Sequence, residues 1–193
     1  CVNGSSIGEE PQLFNIVETT WNTWKLHYPN TEVMSLNTGF TRSYGDYPYG
    51  SYRTNNDFFL FPFSPINTSL PSKERVLTII DNNSTKTYRL SSFENGNLIR
   101  DSINGNQYLI VGHDKLINSF RLTEGHGHEN LEFELDIEGY QIFFSDNEGN
   151  KWDIMGTSVE GPRSGEKLST SKSVMSYWFA IAAFYPNPKI YSE

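Results

Sequence analysis

The sequence predicts a mainly β protein, an antiparallel barrel or sandwich with two short peripheral helices. Three observations lead there. From residue 76 to residue 154 apolar residues recur with period two or in short runs, broken by turn residues at intervals of about ten, as in antiparallel sheet. Aromatics reach 15% of the 193 residues, with 13 Phe, 11 Tyr and 4 Trp, so large rings must supply much of the buried area, which suits packed sheets. Only two segments read as helix.

The first helix spans Thr20 to Tyr28. Thr19 or Thr20 can cap it, Trp21 and Trp24 stripe one face, and Pro29 stops it because proline disfavours the α conformation in the residue before it. From Asn37 to Ser72 the chain is rich in Gly, Pro, Tyr, Asn and Phe without period, and such long loops are functional or ordered by their own aromatics. Within it the run from Phe58 to Phe63 should bury most of its rings and anchor the loop onto the sheet. Strands are expected at Val76 to Ile80, Lys86 to Leu90, Leu98 to Ile103, Tyr108 to Val111, Ile117 to Leu122, Leu131 to Ile137, Tyr140 to Ser145 and Lys151 to Ile154. Asp81 to Asn83, Asn104 to Asn106, Glu138-Gly139 and Asp146 to Asn150 supply residues that tolerate positive φ between them. The second helix spans Ser176 to Tyr185, capped by Ser176 and stopped by Pro186.

Residues 1–33 align with residues 158–190 at a constant offset and without a gap. Gly4 and Gly161, Gly8 and Gly165, Glu9 and Glu166, Trp21 and Trp178, and the run Tyr28-Pro29-Asn30 against Tyr185-Pro186-Asn187 coincide. The shared pattern is a Gly-x-x-x-Gly turn, a Ser/Thr-rich approach and a tryptophan-led helix. It predicts that residues 1–33 are the trailing end of an upstream repeat unit of roughly 150 residues, that residues 34–193 form one complete β-rich unit, and that Trp21 and Trp178 sit in equivalent environments against sheet.

Composition removes several function classes. The formal net charge is −8 with scattered basic residues, so nothing offers the footprint a phosphate backbone requires, and no nucleic acid is expected. The longest apolar stretch, Tyr177 to Tyr185, is about half the ~20 residues that span a bilayer, so no transmembrane segment is expected. The single cysteine, Cys1, excludes an internal disulfide and a cysteine-based zinc cluster. Two readings of Cys1 stand: a lipid-bearing first residue of an envelope lipoprotein, or a mid-chain position facing Ser158 in the repeat.

The segment Thr38-Gly39-Phe40-x-Arg42-x-Tyr44-Gly45-x-x-Pro48-Tyr49, the run Lys73-Glu74-Arg75-Val76, and the stretch from Trp152 to Gly156 and on through Gly161-Pro162 to Gly165 resemble the bacterial and archaeal domain-of-unknown-function family thirty-one seventy-nine. The resemblance covers nearly the whole chain. It implies two tandem units behind an export signal, with this chain similar to the carboxy-terminal unit plus the end of the first, and hence an extracytoplasmic location: secreted, periplasmic or on the cell surface. The family's first unit carries a Phe-Cys-Pro-Leu-Cys segment, whereas the comparable stretch here, Tyr108 to Asp114, has no cysteine. The resemblance implies organisation and export rather than a reaction, and the cofactor stays unknown.

The leading ligand-binding candidates are Arg42, Tyr44, Asp46, Tyr49 and Arg53, which put a guanidinium fork, a carboxylate and two phenols within a dozen residues of a Gly/Pro-rich loop. The alternative is that Arg42 and Asp46 pair with each other or with loop carbonyls to hold an irregular backbone. Lys73-Glu74-Arg75, before a strand, reads as a solvated or paired charge cluster, or as a support in which Glu74 orients Arg42 or Arg53. His126 and His128 would face the same side of an extended strand and could share a metal ion, with Glu124, Glu129 or His113 as third ligand. No nucleophile elbow, phosphate loop, dinucleotide fingerprint or His-Glu-x-x-His is present. The reading is therefore a binding module for a small polar or anionic ligand using the 42–53 loop. The alternatives are an enzyme of unknown reaction that needs the first unit, or a structural subunit of an envelope complex.

Overall fold

The structure, a computed structural model, describes residues 3–9, 14–122, 126–139 and 141–192. The element order is α1 (Trp21–His27), β1 (Arg75–Asp81), β2 (Ser84–Arg89), β3 (Asn97–Ile103), β4 (Asn106–His113), β5 (Leu116–Leu122), β6 (Phe133–Glu138), β7 (Gln141–Asp146), β8 (Lys151–Asp153), β9 (Ser158–Glu160), β10 (Ser169–Thr170), β11 (Ser173–Tyr177), α2 (Trp178–Phe184) and β12 (Lys189–Ile190). They form three four-stranded sheets ordered β11-β1-β2-β12, β10-β5-β4-β3 and β6-β7-β8-β9. No sheet closes into a barrel, so the sandwich is the architecture adopted. Every pairing between named strands is antiparallel except β12 on β2, which is parallel.

Residue alternation explains the layering. On β4, Leu109 and Val111 join Phe120, Phe144 and Trp152 in one core, while Tyr108 and Ile110 join Leu77, Ile79 and Tyr88 in another. Successive side chains of a strand point to opposite faces, so the sheet holding β4 is covered on both sides and the other two sheets lie outside it. On β1, Leu77 and Ile79 face that centre, whereas Val76 faces outward and packs with Trp178, Ile181 and Ala182 of α2. The hairpin β3-β4 turns on Asn104 and Gly105, both at positive φ, as the tightest twist-matched turn requires.

All eight expected strands form, the start of one falling on Tyr140, which is outside the described residues. The expectation lacked β9 to β12, of which β9, β10 and β12 are two or three residues long and are defined by their partners more than by their own pattern. Both helices lie where expected. Thr20 caps α1, its hydroxyl accepting the Thr23 N–H at 3.3 Å. The cap position of α2 is Tyr177 rather than Ser176, with no side-chain hydrogen bond, because Ser176 is committed to β11 opposite Val76.

The two tryptophans expected to be equivalent sit differently in this chain. Trp178 is fully buried and donates to the Asn67 carbonyl at 3.1 Å, while Trp21 is 45% exposed. The leading segment is held by other residues: Thr19 bridges to Leu116, the Ser173 hydroxyl donates to Asn15 Oδ1 at 3.0 Å, Val17 packs on the Leu109 core, and Gln141 donates to the Leu26 carbonyl at 3.0 Å. Residues 15–26 thus strap across the sheets with the Trp21 ring turned away from them. Among the described residues no helix is long and apolar enough to cross a membrane.

Candidate functional site

An open groove of about 860 Å³ lies where the 53–56 loop, the approach to β1, the turn after β2 and the β4-β5 turn meet. Arg53, Lys73, Glu74, Arg75, Glu94 and Lys115 line it. Backbone pairing sets the approach to β1: the Ser72 and Glu74 carbonyls accept the Phe179 and Trp178 N–H groups at 3.1 and 2.9 Å. Three lining charges are neutralised locally. Arg75 pairs with Glu18, Lys115 with Asp114, and Glu74 accepts from Arg89 Nε at 3.0 Å and the Ser91 hydroxyl at 3.2 Å. Arg53 lies 3.9 Å over the Tyr47 ring and, among the described residues, in no ion pair.

The ligand-binding candidates divide. Arg53 and Glu74 reach the groove, but Glu74 orients Arg89 and Ser91, not Arg42 or Arg53. Its place at the mouth of β1 faces β2, where Arg89 is the partner of Val76 in register. Tyr49 is exposed and does not line the groove, its ring 6.4 Å from that of Tyr52. Arg42, Tyr44 and Asp46 are exposed and do not line the groove. Arg42 lies 5.6 Å over the Phe40 ring instead of pairing with Asp46, and Tyr44 shares a 2.6 Å hydrogen bond with Thr38.

The Phe58 to Phe63 run is also corrected. Only Phe59 and Phe63 are half-buried; Phe58, Leu60 and Phe61 are exposed. The two inner rings pack on Phe179 of α2, at 5.1 and 5.0 Å, so the anchor is a helix and not a sheet.

Lys73, expected to be solvated or paired, is 7% exposed, and among the described residues its Nζ has no hydrogen-bond partner. Four rings surround that atom: Tyr52 at 3.4 Å, Phe59 at 4.4 Å, Phe179 at 4.6 Å and Tyr177 at 5.5 Å. Burial pulls the Lys73 pKa below the ordinary lysine value.

Gly127 takes positive φ and turns the chain, so His126 and His128 are not on an extended strand. Their rings still stack, 5.6 Å apart. His128 is buried with Nε2 at 3.1 Å from Glu166, and Arg163 brackets the corner, pairing with Glu148 at 2.6 Å and Glu166 at 3.2 Å and donating to the His126 carbonyl. The His128 hydrogen bond and then the Arg163 guanidinium hold the Glu166 carboxyl below its usual range. Glu124 lies outside the described residues; Glu129 and His113 are not drawn to the pair. Among the described residues no group of three His, Cys, Asp or Glu side chains is placed to hold a metal ion, so this corner reads as an ion-pair bracket around Trp152, whose ring meets His128 edge-on.

A family model described as "Protein of unknown function (DUF3179)" matches residues 1–188. The chain belongs to the DUF3179 family. No curated protein and no solved structure matches it. In this DUF3179 chain the family-like segments converge only in part. The Lys73-Glu74-Arg75 run lines the groove, the stretch from Trp152 to Gly165 supplies the Arg163 bracket, and the Thr38 to Pro48 segment is exposed and belongs to neither.

Proposed function

We propose that this DUF3179 chain is a binding module acting outside the cytoplasm, and that a small anionic ligand is held in the groove by Arg53. The observation that carries the reading is a guanidinium backed by the Tyr47 ring and, among the described residues, free of an ion-pair partner, in a groove whose other cations Arg75 and Lys115 are already paired with carboxylates. Such a fork binds carboxylate, sulfate or phosphate oxygens in pairs. The reading moves the site from Arg42 and Asp46 to Arg53. Thermal-shift titration with citrate, sulfate and inorganic phosphate tests it. At least one should raise the melting temperature of the parent protein and lose that effect in Arg53→Ala, whose own melting temperature stays near the parent value. Equal shifts in both proteins would remove Arg53 from the site.

We also read residues 1–33 as the trailing end of a repeated unit. Two observations support this: α1 and α2 are both seven residues long and begin on the aligned tryptophans, and the aligned pairs Gly4/Gly161 and Gly8/Gly165 all take positive φ. Intact-mass analysis of the natural product tests it. A mass with roughly 150 further residues supports the unit, and a diacylated Cys1 with nothing before it would establish the envelope lipoprotein instead.

A further inference from the structure

A buried ammonium with no hydrogen-bond acceptor is costly, and a structure that keeps one must compensate it elsewhere. Around Lys73 the compensation on the page is aromatic. Its Nζ lies over the faces of four rings, two from the 50–63 loop (Tyr52, Phe59) and two from the β11-α2 junction (Tyr177, Phe179). Ring faces carry the negative part of the aromatic quadrupole and attract cations within about 6 Å, more strongly once water is excluded. The backbone fixes this placement: the Lys73 N–H donates to Asn56 Oδ1 at 2.8 Å, and the carbonyls on either side of it are paired with residues 179 and 178.

We propose that Tyr52, Phe59, Tyr177 and Phe179 form a cation-recognition cage selective for an organic ammonium, with the Lys73 side chain as its resident ligand. The cage joins two parts of the chain that otherwise touch through ring packing, because the occupant enters from the approach to β1 while the walls come from the loop and from the β11-α2 junction. The lysine is therefore a rivet, and the charge on its head is what the cage recognises. The loop so held carries Arg53 beside the groove, but the cage does not depend on that groove binding any anion.

The charge requirement separates this from plain apolar packing. Lys73→Ala empties the cage, and choline and its uncharged carbon isostere dimethylbutanol then compete on shape-matched terms. Hydrogen exchange reads the loop through the hydrogen-bonded amides of Tyr52, Thr54, Asn55 and Phe58. In Lys73→Ala these amides should exchange at least about tenfold faster than in the parent protein while β4 and β5 amides do not. Choline at millimolar concentration should restore their protection and dimethylbutanol should not. Restoration by both compounds, or by neither, would overturn the cage. Should Lys73→Ala fail to fold, Lys73→Met decides: it keeps the volume and drops the charge, so faster loop exchange supports the proposal and unchanged exchange refutes it. Loss of anion binding in Arg53→Ala would leave all of these readouts untouched, so the two proposals fail independently.

Discussion

Replacing Asp146 by Asn should cost about 3 kcal/mol of stability, and the figure follows from the donors around one carboxylate. Oδ1 accepts from the Glu148 N–H at 2.9 Å, the Asn150 N–H at 3.1 Å and the Asn150 side-chain amide at 3.0 Å; Oδ2 accepts from Trp152 Nε1 at 2.8 Å and again from Asn150 at 2.9 Å. An amide in that position has one oxygen. Its NH2 group would face either the Trp152 indole N–H or the backbone donors, and Trp152 is fully buried, so the stranded donor has no route to water. One unsatisfied buried donor costs about 1–3 kcal/mol, and the bonds that remain lose their charge assistance, about another 1 kcal/mol. In a protein of this size that lowers the melting temperature by roughly 6–12 °C. Burial alone would raise the Asp146 pKa, but hydrogen bonds from Asn150, Trp152 and Glu148 outweigh it and hold the carboxyl below its reference value of 3.8. A group with a depressed folded pKa contributes stability that is complete above its unfolded value and lost as pH falls through the folded one. The gap between parent and Asp146→Asn, followed by calorimetry, should therefore be constant above about pH 5 and narrow below about pH 4. A loss under about 1 kcal/mol, or a gap indifferent to acid, would refute the reasoning.

Three further outcomes are expected. Gly161→Ala should destabilise by at least about 2 kcal/mol in urea unfolding, because at φ +102° a Cβ would sit 2.6 Å from the Asn150 Cα and from the Gly149 carbonyl oxygen, whereas Gly165→Ala, at φ +90° in open space, should cost only about 1 kcal/mol. Trp178→Ala should cost about 3–5 kcal/mol and Trp21→Ala less than about 1 kcal/mol, a contrast that acrylamide quenching of the single-tryptophan variants would also register. Arg42→Ala should leave any anion-induced thermal shift at its parent value while Arg53→Ala abolishes it.

The sheet framework was legible because its signals are local. The β4 run Tyr108 to Val111 is apolar at four successive positions, as a strand covered on both faces must be, and Asn104-Gly105 marks its hairpin at single-residue accuracy. The four late strands were not legible, since a pair such as Ser169-Thr170 acquires strand geometry from Arg121 and Phe120 and carries no pattern of its own. Of the residues that line the groove, Arg53 and Glu74 were among the candidates, and Lys73 was read as solvated or paired. The cage draws on two pairs, residues 52 and 59 and residues 177 and 179, more than a hundred positions from each other, and proximity of that kind leaves no spacing to read. The same locality misled at Arg42 and Asp46: closeness in sequence suggested a pair, while the loop backbone sends them to solvent without joining them.

The central sheet belongs to two hydrophobic cores at once, and this governs how the molecule can come apart. Losing either outer sheet bares only one face of β4 and β5, and the remaining core still holds them, so partial opening need not propagate to global unfolding. The outer layers should behave as separate cooperative units that open and reclose on a shared backbone. The β4-β5 amides would then exchange only through complete unfolding and report the stability of the whole chain. The β1-β2 and β6-β7 amides would each report a lower, independent opening energy. A protein built this way can tolerate damage on one side, such as a weakened Asp146 bracket, while the loop, groove and lysine rivet on the other side keep their geometry.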